Sequence, residues 1–532
     1  MRRLAPTAVL LGLAVVAIAS AQGAGAAGAP ATTSHTGTYQ RVAAHAPGDG
    51  HAHAHAAGEQ SGVRDMLIVG KRAVRLTLPK GRTLKPGATV RVRGTMTGST
   101  LMAIDATTTT EPTAIASAGG AATKTSVLVI LAAWTGPDSL TPEAAAAQLF
   151  SDGDEWRTEV SNGSQGFTGS VTPWLTITGP TGGLCFTNHK ETMLQAKAAA
   201  LTAGFDPTTY QRVVLYHPKS SNPDCSSYGG WAYQPGAEVW MNGVMSRRTL
   251  MHELGHNDGL RHAGSLSCSV DGVFMTLAAN GCSLAEYGDI TDAMGNATYV
   301  GHFSVVQKAR LGWLGARSVA LQPGGSAILA PVETAGTDVI AASIDASNGR
   351  RYWLESRSAA GADALLPAGV LGGVLIRIDD PSLSPAPLLL DLTPDGSMAN
   401  AALPVGGSWS SPEGLRISTA LAPDGRVAVT VSTDTVAPAA PSAVSVAIKG
   451  TSATVKWVNP TDIDFASVVV QMKAGTVPPA SAADGTRIYA GSGMTATTSS
   501  LVRGVTYSFA VFARDQVPNW SAGATPAPRT RK

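Results

Sequence analysis

Residues 251–264, MHELGHNDGLRHAG, place three histidines, a glutamate and a glycine at fixed intervals, and this stretch restricts the fold more tightly than any other. Ser246 is a suitable cap for a helix that runs from about Arg247 to Asn257. Leu250 and Leu254 lie one turn apart and form an apolar stripe along that helix. The sequence therefore predicts an amphipathic helix whose histidines share one side.

The spacing of the histidines predicts a metal site with an open position. His252 and His256 are one helical turn apart, so their imidazoles can reach one ion. Gly259 suits a left-handed turn after the helix, which would bring His262 back as a third ligand. Glu253 lies beside this face and can hold a water molecule. Three nitrogen ligands and a free fourth position are typical of catalytic Zn²⁺, and we expect one such ion.

Two other interpretations of this stretch are open. The histidines could be ordinary surface residues of an amphipathic helix, although the matching glycine and third histidine argue against it. Alternatively, Glu286 could be the third ligand, as in enzymes that take a carboxylate from a second helix. That choice leaves Gly259 and His262 without a role, so it ranks below the three-histidine site.

The pattern HExxHxxGxxH resembles the signature of the metzincin zinc peptidases, and the downstream EYGDITDAMGN and HFSVVQKARLGWL resemble the gametolysin family in particular. The resemblance covers about residues 124–318 and implies a mixed α/β (α+β) catalytic domain with Met294 in a turn beneath the metal. The chain departs from several metzincins because Asn296, two residues after that methionine, is not a tyrosine. Tyr299 and Tyr287 are the candidates for an extra hydroxyl.

The same resemblance implies a zinc endopeptidase in which Glu253 is the general base. Gametolysin relatives act on extracellular and cell-wall proteins, so the expected partner is a protein or peptide substrate. An extended substrate can pair with the edge of a sheet through its backbone. The candidate edge is residues 229–243, GGWAYQPGAEVWMNG, just before the helix.

The chain has 532 residues, which is too long for one ordinary core, and its patterns predict a multidomain protein. A small β region and two β-sandwich domains are expected to flank the catalytic domain. The expected segments are a signal peptide at 1–21, a low-complexity linker at 22–60, a pro-segment-like β domain at 61–122, a catalytic domain at 123–318, a β-sandwich at 319–435 and a final β domain at 436–532.

The N-terminus predicts export from the cell. Arg2 and Arg3 precede an apolar run from Ala8 to Ala19, and small residues suited to signal peptidase follow it. Cleavage is expected near Ala21 or at a later alanine up to Ala27. The run is too short to cross a bilayer, and no later stretch is long and apolar enough for a membrane span. We therefore expect a secreted, extracellular protein.

An oxidising compartment favours disulfides among the four cysteines, which all lie in the catalytic region. None of them forms the Cys-x-x-Cys spacing of a zinc knuckle. Three pairings are conceivable, and local partners favour Cys185 with Cys225 and Cys268 with Cys282. A pro-segment cannot use a thiol to cap the metal, because no cysteine precedes Cys185.

The segment before the catalytic region contains HAHAHA, with His51, His53 and His55 on one side of an extended chain. The pattern is typical of a flexible linker, and a secreted metal-scavenging protein is an alternative function that would use it. Residues 63–103 then alternate like strands, with turn residues between them. They predict either a pro-segment or an accessory β domain.

The last segment resembles a fibronectin type III module, from the Trp457 strand, Tyr507 on a late strand and the closing NWS. The resemblance implies a spacer or an adhesion surface that contacts a cell surface or matrix. A second class of function is therefore an adhesion protein that carries an inactive peptidase fold. The intact Glu253 argues against that alternative.

Charge excludes a nucleic-acid partner, because the formal net charge is only +2 and no concentrated basic surface is predicted. No calcium-binding motif can be read in the sequence, although a Ca²⁺ site is compatible with it. We expect His189, His217 and His302 to be core or surface residues and not ligands.

Overall fold

The computed structural model describes most of the chain after the N-terminal 31 residues. The described residues are 32–45, 64–69, 72–85, 88–97, 100–110, 123–183, 188–220, 222, 228–270, 272–278, 281–295, 301–380, 383, 387–517 and 519–532. They form a multidomain, strongly β-rich protein with several separate sheets.

Several expectations fall outside these residues. They are the signal peptide with its cleavage positions up to Ala27, the tract with His51, His53 and His55, the pair Cys185 and Cys225, and the residues Asn296 and Tyr299. Within the described residues, no helix combines the length and apolar character needed to cross a membrane.

Strands near the N-terminus form a small barrel closed by backbone pairing. The strands are β1 (Thr32–His45), β2 (Arg64–Val69), β3 (Arg72–Thr77), β4 (Thr89–Thr97) and β5 (Thr100–Thr110). They pair in the circular order β1, β2, β3, β5, β4 and back to β1. Alternate residues such as Leu67, Val90 and Leu101 point inward and are fully buried, as the two-residue period of a strand requires.

The prediction of a linker at 22–60 is wrong for residues 32–45, because they form β1, the longest strand of the barrel. The composition of the segment looks simple, yet its threonines, Tyr39 and Val42 favour extended structure. Tyr39 is 1% exposed and donates a hydrogen bond to Asp65 Oδ1 at 2.6 Å. Cross-strand pairing thus gives order to a stretch whose composition alone indicates flexibility.

A mixed sheet carries the region that holds the histidine motif. Its strands are β6 (Thr123–Ala133), β7 (Gln165–Val171), β8 (Leu175–Thr176), β9 (Arg212–His217), β10 (Gly230–Gln234) and β11 (Glu238–Asn242). The main order is β7, β6, β9, β11, β10, with the first four parallel and β10 antiparallel to β11. Strand β6 is a nearly continuous apolar run because both of its faces are covered.

The helix that carries the histidine motif begins at Arg247, as the sequence predicts. The helices of the described residues follow in chain order. They are α1 (Pro142–Ala147), α2 (Asp154–Val160), α3 (His189–Thr202), α4 (Arg247–Asn257) and α5 (Val305–Arg310), with a π-helical turn at Gln148–Gly153 between the first two. Thr141 caps α1 by accepting a hydrogen bond from Ala144 N at 3.2 Å. Ser246 caps α4 in the same way, accepting from Thr249 N at 3.2 Å. Both caps satisfy backbone amides that the first turn leaves unpaired.

Two sheets form a β-sandwich after the histidine motif. One contains β12 (Gly264–Val270), β13 (Val273–Met275), β14 (Cys282–Ala285), β15 (Ser318–Leu321), β17 (Ala341–Asp345), β18 (Arg351–Glu355), β19 (Gly373–Asp379), β20 (Leu388–Leu390) and β21 (Leu403–Pro404). The other contains β16 (Ser326–Leu329), β22 (Ser408–Ser410), β23 (Leu415–Leu421) and β24 (Val427–Thr433). Their facing side chains, including Ile376, Ile417 and Trp409, share one core.

The sandwich begins earlier in the chain than the boundary expected at residue 318. Strand β12 begins two residues after His262 and pairs in parallel with β20, from Gly264 opposite Leu388 to Leu266 opposite Leu390. Leu266 therefore belongs to the sandwich core and not to the core under the helix. The boundary is crossed because a strand is stabilised by its hydrogen-bonded neighbour, wherever that neighbour lies in the chain.

The C-terminal module has a fibronectin type III-like fold, as its resemblance implies. Its strands are β25 (Ser442–Lys449), β26 (Ser452–Val458), β27 (Phe465–Ala474), β28 (Thr486–Gly491), β29 (Thr495–Thr498), β30 (Thr506–Asp515) and β31 (Arg529–Thr530). The order β25, β26, β29 forms one sheet, and β28, β27, β30, β31 forms the other. Trp457 fills the core, and the Tyr507 hydroxyl accepts a hydrogen bond from Val502 N at 2.9 Å, as in a tyrosine corner.

Candidate metal centre

Helix α4 and the loop after it bring the three histidines of the motif together. His252 and His256 lie one turn apart on α4, and the loop returns because Gly259 adopts a φ of 93°. The Nε2 atom of His256 is 3.1 Å from Nε2 of His252 and 3.1 Å from Nε2 of His262. All three side chains are at most 1% exposed. The expected helix, turn and convergence of side chains are thus present.

The second ring nitrogen of each histidine faces an oxygen atom. Nδ1 of His252 lies 3.0 Å from the carbonyl oxygen of Ala293, and Nδ1 of His256 lies 2.9 Å from that of Leu260. Nδ1 of His262 lies 2.7 Å from Oε1 of Glu286. A carbonyl or carboxylate oxygen only accepts, so each Nδ1 donates, and a neutral ring then presents the lone pair of Nε2. Burial lowers the pKa of His262, which favours the neutral form.

The donor set fits a divalent cation. Three nitrogens at about 2.0–2.1 Å from one tetrahedral ion are separated by about 3.3 Å. The two distances from His256 are close to this value, and the ligand atoms of all three histidines lie within 4.8 Å of one another. Lone pairs that converge at 3.1 Å repel one another, and a cation between them removes that repulsion. Within the part of the chain that the structure describes, the three histidines form a group whose potential ligand atoms lie close enough to share one ion.

Glu253 lies inside the same site with an uncompensated carboxylate. It is fully buried, and neither Oε1 nor Oε2 has a hydrogen-bond partner within the described part of the chain. This burial raises its pKa well above the ordinary value for a glutamate. A nearby cation would favour the ionised form again. A buried carboxylate without a partner is therefore a second observation that fits a metal-assisted site.

Gly230, at the start of β10, makes room for that carboxylate. A Cβ at this position would lie 2.9 Å from Cγ and 3.0 Å from Oε1 of Glu253. The glycine pair before Trp231 was part of the expected substrate edge, but its contact with Glu253 was not anticipated. Only the packing of β10 against α4 reveals it.

A tight turn beneath the site contains Met294, as the resemblance implies. Its sulfur atom packs against Gly255 of α4, where a Cβ would be 2.5 Å away. Asp292 Oδ1 accepts a hydrogen bond from Met294 N at 2.8 Å and Oδ2 accepts one from Ser304 N at 2.9 Å. The turn thereby aims the Ala293 carbonyl at His252 and supports the helix from below.

Buried charges tie this turn to the β-sandwich, which the sequence did not indicate. Arg377 of β19 donates from Nε to Asp289 Oδ2 at 2.6 Å and from Nη2 to Thr291 Oγ1 at 2.5 Å. Its Nη1 lies 2.6 Å from Oε1 of Glu355, whose Oε2 accepts from Val305 N at 2.7 Å. Both side chains of the Arg377–Asp289 pair are 0% exposed. The available signal was an arginine inside the apolar run GGVLIRID.

The other candidate residues lie outside the triad of histidine nitrogens. Glu286, the rival third ligand, is the hydrogen-bond partner of His262 Nδ1 and lies outside the nitrogen triad. The ring of Tyr287 lies 4.1 Å from that of His262 between centroids, and burial together with Glu286 and Glu253 raises its pKa. The histidines expected to be core or surface residues are buried and are not members of the triad. They are His189, His217 and His302.

The expected disulfide between Cys268 and Cys282 is present and joins β12 to β14. These strands directly follow the metal motif and pair from Ser265 opposite Ala285 to Cys268 opposite Cys282. The bond therefore supports the hairpin that leads to Glu286. Local spacing was sufficient to predict this pair.

No protein-family model and no curated protein matches the chain. Among solved structures, FN3tt mut is similar at 18% identity, over 18% of this chain and 97% of that chain, with a TM-score of 0.14. Domains d3-d4 of the rat CD45 extracellular region are similar at 13% identity, over 22% and 62%, with a TM-score of 0.17. Titin kinase with its flanking domains is similar at 20% identity, over 18% and 17%, with a TM-score of 0.16.

This chain spans less than two thirds of the CD45 and titin structures. The fibronectin type III-like fold of the C-terminal module is defined by the order of its own strands.

Proposed function

We propose that this protein is a secreted zinc-dependent metalloendopeptidase of the metzincin type. The observation that carries the proposal is the convergence of three buried Nε2 atoms beside the unpartnered carboxylate of Glu253. In this proposal His252, His256 and His262 hold one Zn²⁺ and leave a position for water and substrate. The three oxygen atoms behind the rings keep each Nε2 aimed at that point.

The chemistry divides between the ion and the carboxylate. Zinc bound at such a site lowers the pKa of water to near 7 and polarises the carbonyl of a peptide bond. Glu253 takes a proton from the attacking water and later passes it to the leaving nitrogen. Its burial excludes bulk water from this transfer, and Gly230 leaves the space in which its side chain is positioned.

The architecture around the triad supports the metzincin and gametolysin resemblance. Four parallel strands and the antiparallel β10 form the sheet, α4 carries two of the ligands, and Met294 lies in a turn below it. Export is inferred from the apolar run between Ala8 and Ala19. The proposed substrates are extracellular or cell-wall proteins, and the fibronectin type III-like module is proposed to contact a cell surface or matrix.

Replacing the general base tests the proposal. We expect Glu253→Ala to retain one zinc per chain and to hydrolyse casein about 10²–10⁴-fold more slowly than the wild type, because the proton acceptor is lost. His262→Ala should lose the zinc itself. Zinc content by elemental analysis and chelator-sensitive release of casein fragments are the two measurements.

His35→Ala is the matched control, because His35 lies in β1 and its Nε2 lies 2.8 Å from Thr33 Oγ1, outside the triad. It should keep both zinc and hydrolysis. Undiminished hydrolysis by Glu253→Ala would refute the assigned base, and full zinc occupancy in His262→Ala would refute the three-histidine ligation. If the zinc-loaded wild-type protein shows no hydrolysis under any condition, that result would favour the adhesion alternative.

A further inference from the structure

Strand β10 is fixed to the metal centre at both of its ends. At its start, Gly230 lies against the side chain of Glu253. At its end, the Gln234 side-chain amide donates to the carbonyl oxygen of Leu260, in the loop that returns His262. The Nδ2 atom of Asn257 also donates to the carbonyl oxygen of Tyr233 at 3.0 Å. Strand β10 is therefore linked at both ends to the helix and the loop that carry Glu253 and the histidine triad.

Strand β1 occupies that edge. It pairs antiparallel with β10, from Arg41 opposite Gln234 to His45 opposite Gly230. On its other side, β10 pairs with β11, so both edges of the strand are used. The residues of β1 beyond Val42 pair with β10 and not with β2, whose register ends at Val42 opposite Arg64. An edge strand offers unpaired amides and carbonyls to any extended segment, and here the chain's own N-terminal region takes them.

Side-chain packing reinforces this pairing. Met66 of β2 is 3% exposed and belongs to the same apolar cluster as Trp231 and Tyr233 of β10 and Trp240 of β11. Ile68 packs against the cluster as well. The barrel is thus joined to the sheet by a continuous strand ladder and by a buried contact beneath it.

We propose that residues 41–45 act as a built-in inhibitory strand, which fills the position that an extended substrate needs beside the metal centre. This inference rests on the proposed peptidase function. An extended segment binds a sheet edge by adding one more strand, and β10 can pair with only one partner on its outer side. Displacement of β1 from β10 therefore has to precede substrate binding, and the barrel keeps the enzyme latent until that happens.

Proline substitutions in the full-length protein test the proposal. Ala43→Pro combined with Ala44→Pro removes two successive amides, of which one faces β10 because successive strand residues alternate in direction. We expect at least 10-fold faster casein hydrolysis and at least 10-fold faster deuterium exchange of the amides in residues 230–234. Adding Glu253→Ala to this variant should abolish the gain in hydrolysis while the fast exchange remains.

The matched control is Thr33→Pro combined with Ser34→Pro, in the part of the same strand that pairs with β4. It disturbs the barrel equally but leaves the β10 ladder intact, so hydrolysis and exchange should stay within about twofold of the wild type by the same pairing argument. Met66→Ala is a milder second variant, which weakens the docking of the barrel without a change in β1. It should raise hydrolysis in the same direction if the proline pair prevents folding.

Three outcomes overturn the inference. Wild-type protein that hydrolyses casein as fast as the Ala43→Pro, Ala44→Pro variant shows that β1 does not inhibit, and leaves the peptidase proposal intact. Equal activation by both proline pairs shows that the block does not lie at the β10 edge. Fast exchange in residues 230–234 without hydrolysis in any zinc-loaded variant refutes the peptidase proposal and the inhibitory role together.

Discussion

At the scale of single residues, the position of one carboxylate decides its role at the metal centre. Glu286 lies 2.7 Å from Nδ1 of His262, so it holds the ring from behind and raises the basicity of the opposite nitrogen. The side chain of Glu286 is 25% exposed, whereas that of His262 is 0% exposed. The sequence indicated both residues as candidates but could not rank their distances from the point where the Nε2 atoms converge.

Glu286→Gln should therefore weaken zinc binding without abolishing it. The amide oxygen still accepts from Nδ1, but the negative charge is lost, and such changes typically cost about 10–100-fold in metal affinity. Competition with a chelator of known affinity measures the change. Glu155→Gln, at an exposed position of α2, is the control and should bind zinc as the wild type does. Equal affinity in both variants would contradict the role of Glu286.

Lys308 provides a residue-scale prediction on pH. Burial lowers the pKa of this lysine to about 7, from an ordinary value near 10.5. The unfolded chain therefore binds one more proton between these pH values, and the free energy of unfolding rises with pH there by up to about 1.4 kcal/mol per unit. The folded protein loses this advantage as the pH falls towards 7.

Lys308→Met should flatten the rise between pH 7 and pH 9, as measured by denaturant unfolding at each pH. Lys449→Met, at an exposed position of the C-terminal module, is the control and should keep the wild-type slope. Parallel curves for the wild type and Lys308→Met would contradict the prediction. The interior position of Lys308 could not be inferred from the sequence, because long charged side chains are rarely buried completely.

At the scale of elements, the turn that contains Met294 depends on a neighbouring sheet. Arg377 reaches Asp289 and Thr291 from β19, and these groups are shielded from solvent. Asp292 lies between them and the ligand helix, and burial with Asp289 nearby raises its pKa to about 6. The turn beneath the candidate metal centre is thus held by charges from an element about 90 residues later in the chain.

Removing the guanidinium should destabilise the folded protein substantially. Arg377→Met leaves the carboxylate of Asp289 buried without its cation and leaves Glu355 with Arg357 as its remaining partner. Breaking a buried pair in this way typically costs about 3–5 kcal/mol. Arg351→Met is the control, since its ion pair with Asp345 is largely exposed and should contribute about 1 kcal/mol or less. Denaturant unfolding of both variants measures the difference. Similar losses in the two variants would contradict the structural role of Arg377.

The local elements around the motif were predictable. The capping of α4 by Ser246 and the positive φ of Gly259 follow from residues within one turn of each end. The linker prediction for residues 32–45 was wrong because composition does not report which strands are available as partners.

At the scale of the whole molecule, the region that holds the histidine triad and the β-sandwich form one unit. Strand β12 leaves the motif and enters the sandwich sheet beside β20, while Arg377 holds the turn beneath the ligands. The apolar core under α4 and the apolar core of the sandwich are therefore distinct clusters. The chain passes directly from the first to the second at β12. A domain boundary at residue 318 cuts through both connections.

We expect a chain that ends after Arg317 to fail to fold around zinc, since it lacks the partners of β12 and Asp289. A chain that ends after Asp434 keeps these partners and should bind one zinc with a cooperative thermal transition. Elemental analysis and calorimetry of the two forms give the comparison. One tightly bound zinc and a cooperative transition in the shorter form would show that the sandwich is dispensable.

The sequence by itself determined the features that depend on neighbours along the chain. Helical pitch places His252 and His256 on one side, a glycine permits the turn to His262, and alternation marks the strands within residues 63–103. Only the tertiary structure decided that β1 pairs with β10, that Glu286 lies behind His262, and that Arg377 supports the turn. Local geometry follows from bond rotations and short-range hydrogen bonds, whereas distant segments are selected by the burial and pairing that the whole chain achieves together.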